Sequence, residues 1–172
     1  SNPQLLVSNV GSDPLTLIGL LEAFAKQGGA KGKGSDLIQG MITDSYMVTQ
    51  ADQSNSWIQL FKKVHDQFAA KLPMDGNVQY GMAAAWTFAE AVAKAGKNLT
   101  RESLVQAVES GLSPGFGIVP FAFSSSSHAG FTGAQVGIIQ GTTIKLVGQP
   151  LTTDDSSGPL TPYTTAQAPA PS

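Results

Sequence analysis

The sequence contains no cysteine, only two histidines, and 13% charged residues. Without cysteine there is no disulfide, no thiol nucleophile and no thiolate metal site. The two histidines, His65 and His128, lie far apart and offer no metal-ligand spacing. The lysines are dispersed or sit in the glycine loop "GGAKGKG", and the formal net charge is -2, so no basic face awaits a phosphate backbone. Nucleic acid is therefore not an expected partner, and no residue pattern calls for a metal or another cofactor. No run of about 18 apolar residues occurs, so no membrane-spanning helix is expected, and no signal-peptide pattern opens the sequence as given. What is present is 172 residues with 41% hydrophobic content, enough for a packed core. The lack of cysteine suits an exported bacterial protein as well as a cytosolic one, so composition leaves the compartment open.

Along the chain, strand and helix signals alternate in the α/β manner. A short apolar strand is expected at Leu5 to Ser8. Asp13 followed by Pro14 then starts a helix, because the carboxylate can accept from unpaired amides and proline costs nothing at the first helical position. Leu17, Leu20, Leu21 and Phe24 recur along it at helical spacing. "DLIQGMITDSYMV" reads as a strand with an extended exit. A second helix is expected from about Ser54 to Leu72, with Trp57, Leu60, Phe61, Val64 and Phe68 as its apolar stripe and His65 on its solvated side.

The stretch "YGMAAAWTFAEAVAKAGKNLTRE" reads as a third helix, a stop at Gly96 and a fourth helix capped by Thr100. Its polar positions Thr87, Glu90, Lys94 and Lys97 make one narrow stripe, so most of the third helix, including Trp86, Phe88 and Val92, is expected to be buried. Leu104, Val105 and Val108 of the fourth helix should turn inward. Strands follow in "IVPFAF" and in "AQVGIIQGTTIKLVG", the latter a hairpin about Gln140-Gly141-Thr142. From Pro150 the chain is rich in Pro, Ser and Thr, reads as a linker or tail, and is expected to drape over a folded surface.

The loop "SNVGSDP" is the best candidate for ligand contact, because it joins a strand's carboxyl end to a helix's unpaired amides. Ser8, Asn9, Gly11 and Ser12 supply small donors and acceptors. Asp13 acts as helix cap, or as cap and partner for a ligand ammonium. "SSSSHAG" places Ser124 to Ser127 beside His128 and invites a serine-hydrolase reading. Adjacent residues rarely meet as nucleophile and base, however, and no nucleophile elbow accompanies them, so no catalytic residue is assigned.

The order of "NVQYGMAAAWTFAEAVAKAGKNLTRESLVQAVESG" and "FGIVPFAFSSSSHAGFTGAQVGIIQGTTIKLVG" resembles the C-terminal half of type I periplasmic binding proteins. These are the branched-chain amino acid binding kind that serve ABC importers. The upstream "GMITDSYMVTQADQ" is similar to that family's passage between lobes, so the resemblance covers roughly residues 3 to 149. Met82 stands where the family usually has an aromatic residue.

The resemblance implies an α/β fold, part of a two-lobe type I periplasmic binding protein fold with Rossmann-like sheets flanked by helices. Residues 1–45 would belong to lobe 2, residues 46–118 to a crossover and lobe 1 helices, residues 119–149 to a return crossover and lobe 2 strands, and residues 150–172 to the tail. It implies a ligand-side position for Tyr80, and less surely for Gln79, beside the bottom-up reading of Tyr80 as a core residue. The family's acidic residue falls near Val10, and its absence here admits aromatic acids or other small carboxylates as well as amino acids.

The implied protein is not an enzyme. It would be a periplasmic or extracellular solute-binding component, with a small-molecule ligand, an ABC permease and a missing N-terminal half of the same protein as partners. A lipid anchor could enter through that half, which would also cover the apolar third helix. A ligand sensor of the same fold is the alternative.

Overall fold

The computed structural model describes residues 4–8, 13–29, 32–153 and 158–171. Helix α1 spans Pro14–Gln27 and short helix α2 spans Gly34–Ile38. Strand β1 is Ile42–Ser45, followed by α3 (Ser56–Phe68), α4 (Gly76–Ala95) and α5 (Arg101–Glu109). The strands β2 (Phe121–Ser124), β3 (Ser127–Phe131), β4 (Gly133–Gln140) and β5 (Thr143–Leu146) come next, then the short β6 (Leu151–Thr152) and β7 (Thr161–Pro162).

Strand β4 is the spine of the larger sheet. It pairs antiparallel with β1, β5 and β6, and β7 adds to β6. Strands β2 and β3 form a separate hairpin. The region expected as a first strand contributes a parallel bridge between Leu6 and Ile42.

Two buried clusters organise the molecule. In the first, α1 and α2 pack on the β4–β5 hairpin through Ile38, Met41, Ile139 and Ile144. In the second, Trp57 and Phe61 of α3 meet Ala83 of α4 and Phe116. The Trp57 ring stands edge-on to both Trp86 and Phe116, at 5.3 and 6.0 Å between centroids, an arrangement that places positive ring edges on negative ring faces. The chain passes between the clusters after β1, and again where Ile118 N donates to Tyr46 O at 2.9 Å.

The helix starts expected at Asp13 and Thr100 are present, and the Thr100 hydroxyl accepts from Ser103 N at 3.1 Å. The long strand expected over 36–48 is instead α2, a turn and the four residues of β1. Burying Ile38 and Met41 together requires a helical turn, and the Gln39 amide ties that turn down by donating to Ser35 O and Gly141 O. The stretch Ser124 to Ser127 is the tight turn of the β2–β3 hairpin, closed by Ser124 Oγ accepting from the Ser127 amide at 3.1 Å.

Which helix faces are buried differs from expectation. On α3 the inward residues are Trp57, Ile58, Phe61 and His65, while Val64 is 40% and Phe68 77% exposed. His65 is thus buried rather than solvated. Its burial is tolerated because Nε2 lies 2.9 Å from Leu72 O and Nδ1 lies 3.0 Å from Asp66 Oδ1. On α4 only Gln79, Ala83 and Ala91 are buried. Trp86 and Val92 are half-buried, and Tyr80 and Phe88 are 58% and 61% exposed. On α5, Leu104 and Val108 are half-buried but Val105 is exposed. In each case the expected stripe is apolar, but the neighbours present cover only part of it.

Phe61 lies at the centre of the second cluster and is 3% exposed. Phe61→Ala should destabilise the chain by about 3 to 5 kcal/mol, read from urea unfolding. A loss under about 1 kcal/mol would mean the cluster collapses around the gap. On the outer face of α3, hydrogen bonds from Lys62 and then His65 hold the Asp66 carboxyl below its ordinary value. A lowered folded-state value adds stability above the unfolded-state value, and that stability is lost as pH falls through the folded one. Lys62→Ala should raise the Asp66 titration midpoint measured by carbon-detected NMR, and an unmoved midpoint would contradict the pairing.

Candidate functional site

The start of α1 is built around Asp13, which is only 8% exposed. Its Oδ2 accepts from the amides of Leu15 and Thr16 at 3.0 and 3.2 Å, as an N-cap should. Its Oδ1 accepts from the Gly76 amide at 3.0 Å, at the first residue of α4. One carboxylate therefore answers unpaired amides at two helix starts, where the aligned peptide dipoles favour negative charge. A second bond runs alongside it, from Asn77 Nδ2 to Thr16 Oγ1 at 2.8 Å. Glycine is required at position 76 by space, since an added Cβ would lie 2.5 Å from Asp13 Oδ1.

A small cleft of about 60 Å³ opens beside this junction, lined by polar and apolar groups in similar measure. Asp13, Ser45, Thr49, Gln50, Gln79 and Thr143 form its polar part, with Met47, Val48 and Ile144 among the apolar walls. Gln79 is 4% exposed and held by its Nε2, which donates to Val48 O at 2.8 Å. Ser45 Oγ donates to Met47 O at 2.8 Å. The Gln50 side-chain nitrogen is buried with no hydrogen-bond partner among the described residues. An unsatisfied buried donor is costly unless something accepts from it.

A second cleft of about 440 Å³ runs along α4 from Tyr80 to Ala91 and is mostly apolar, with Tyr46, Tyr80, Ala84, Phe88, Leu104 and Phe131 in its walls. Burial raises the Tyr46 hydroxyl above its ordinary value, with smaller contributions from Tyr80 and Asp44.

The structure thus brings Asp13 and Gln79 to the small cleft and puts Tyr80 in the apolar one. Ser8 is exposed and lines neither. Asn9, Gly11 and Ser12 lie outside the described residues. Sequence reasoning missed Ser45, Thr49, Gln50 and Thr143 as walls. The signal available for the first three was their place just beyond the carboxyl end of β1, where open α/β sheets bind ligands.

His128 sits elsewhere, exposed, stacked on Phe123 with 5.3 Å between ring centroids, and its Nε2 faces Glu109 Oε1 at 2.9 Å. Among the described residues no group of three or more His, Asp or Glu could hold a metal, and no helix is long and apolar enough to cross a membrane.

Helices and strands combine in a mixed α/β fold, with the starts of α1 and α4 meeting beside the small cleft. Comparison with solved structures narrows the fold. A branched chain amino acid ABC transporter from Thermus thermophilus, solved with bound valine, is 20% identical with a TM-score of 0.60, over 87% of this chain and 46% of that one. A substrate-binding periplasmic protein from Ralstonia solanacearum is 24% identical with a TM-score of 0.61, over 83% of this chain and 38% of that one. The chain has the α/β fold of part of a type I periplasmic binding protein, and it spans less than half the length of either structure. Neither a protein-family model nor a curated protein matches it.

Asp13→Ala would remove a cap worth about 0.5 to 2 kcal/mol and leave the Gly76 amide without its acceptor, a further 1 to 3 kcal/mol or so. Asp13→Asn keeps one acceptor oxygen, enough for one helix start, and turns its NH2 toward the amide of the other, so it should recover only part of the Ala loss. Urea unfolding of both variants measures this, and an Asn variant as stable as the parent would show that the second oxygen and the charge contribute nothing.

Proposed function

We propose that this chain is the C-terminal part of an extracytoplasmic solute-binding component of an ABC importer, and that it performs no covalent chemistry. In this reading it binds a small carboxylate-bearing solute, an amino acid or aromatic acid, between two lobes that close over it. The observation that carries the reading is the convergence of α1 and α4, rooted in different cores, on one small cleft. The helix amides here are taken by Asp13, but the partnerless Gln50 side-chain nitrogen in the cleft wall can donate to a ligand carboxylate, and the Asp13 carboxylate can meet a ligand ammonium. The two similar solved structures, a branched chain amino acid ABC transporter and a substrate-binding periplasmic protein, support the same reading. Residues 1–45 and 119–149 would form lobe 2, and residues 46–118 the helical part of lobe 1.

Ser8, Asn9, Gly11, Ser12 and Asp13 would approach the solute from one lobe, and Gln79 and Tyr80 from the other. Closure follows from linkage, since a ligand touching both lobes stabilises the closed arrangement by the contacts it makes only there. The ABC permease would recognise that closed arrangement in the periplasm or at the cell surface. The apolar cleft beside Tyr80 and Phe88 would be covered by an N-terminal half of the same protein, in keeping with the chain's share of the solved structures.

The test is calorimetric titration of the chain, produced with the polypeptide encoded upstream of it, against a panel of small amino and aromatic acids. Saturable binding of one acid class is expected. Tyr80→Ala should weaken that binding by about 1 to 3 kcal/mol with less change in the ligand-free unfolding midpoint. No binding by any acid to a folded preparation would overturn the assignment.

A further inference from the structure

The chain's C-terminal segment is seated by side chains that the solute-binding reading does not use. Strand β6 is rooted on β4 at Gly133 and Ala134, β7 returns along β6, and Tyr163 N donates to Pro150 O at 2.9 Å. The segment then leaves the sheet that carries the first core and runs over the second. Gln167 fixes it there twice, its Nε2 donating to Phe116 O at 2.6 Å and its Oε1 accepting from Asn55 Nδ2 at 2.8 Å. Next, Ala168 O accepts from the indole Nε1 of Trp57 at 2.7 Å. Finally Ala170 N donates to Ser56 Oγ at 2.9 Å, and Ala170 packs against the Trp57–Phe116 cluster.

These contacts have the character of a built seat. Trp57 is 2% exposed, so its indole N–H needs a partner, and the tail carbonyl is the one it has. The residues that reach in, Gln167, Ala168 and Ala170, are small or extended, and no large apolar side chain anchors the segment. Such a contact holds by direction rather than by burial, and it can be released without opening the core beneath it.

We propose that residues 163–171 are a strap that crosses from the first packing unit to the start of α3 in the second and limits how far the two units rotate apart. It acts in parallel with the Asp13–Gly76 contact, at a different place. The strap holds whatever the small cleft binds, so it stands independently of the solute assignment.

The absence of cysteine makes the test direct. In the full chain, Lys26→Cys on α1 and Lys63→Cys on α3, both exposed positions, accept spin labels at single sites. The distance distribution between them is measured by pulsed electron resonance, and exchange of the Trp57 indole N–H is measured in parallel by NMR. Gln167→Ala combined with Ala170→Pro removes the two side-chain bonds and the last backbone bond while leaving every buried residue unchanged. The seat itself is read from exchange of the Trp57 indole N–H, which the Ala168 carbonyl accepts in the parent. The expected result is faster indole exchange and a label distribution about two-fold broader than in the parent. Released indole exchange with an unchanged distribution would overturn the restraint. Indole exchange as slow as in the parent would overturn the proposed seat. Trp57→Phe removes the indole donor together with part of the buried ring, so its unfolding midpoint is measured alongside; in the folded variant it should reproduce the broadening in smaller measure, and an unbroadened distribution there would also count against the strap.

Discussion

The Asp13 carboxylate is the contact on which the arrangement of this molecule depends. Helix starts present unpaired amides, and each normally finds its own acceptor close by in sequence. Here α1 does so, but α4 draws on two carboxylates. Asp75 accepts from Val78 N at 2.9 Å as the local cap, and Asp13 accepts from Gly76 N across the junction. The charge is placed where two positive helix ends meet, and the absent side chain at Gly76 is what allows the approach. Fixing α1 against α4 in this way sets the width of the small cleft and brings Gln79 into its wall.

Around that contact the molecule is two cores joined by little apolar packing. The first is aliphatic and the second aromatic. Between them run backbone links, the Asp13 and Thr16 bonds and the tail, nearly all of them polar. Polar links are directional and individually modest, about 1 kcal/mol each net. A junction so made can reorganise at small cost while each core stays intact.

The exposed side of α4 has the opposite character. Tyr80, Phe88 and the alanines between them form an apolar face with the wide cleft in front of it. The neighbours of α4 here, α3 and α5, leave this side uncovered.

Some of this was legible in the sequence because it is local. Asp13-Pro14 starts a helix by amide capping and a preset backbone angle, Thr100 does so through its hydroxyl, and Gly141 marks a hairpin, wherever in a protein these occur. The order of strand and helix signals carried the fold class for the same reason. What only the tertiary structure decided is what lies opposite each residue. The stripe on α3 could be read as apolar, but its rotation, which buries His65 and exposes Val64 and Phe68, follows from where Phe116 and the Leu72 carbonyl sit. The need for glycine at 76 has no local mark, because it comes from a carboxylate 63 positions away. Likewise nothing near Gln167 announces that Trp57, more than a hundred residues earlier, needs the next carbonyl as its acceptor. Local signals are written in neighbouring residues, whereas burial and long-range pairing are properties of the surfaces that folding brings together.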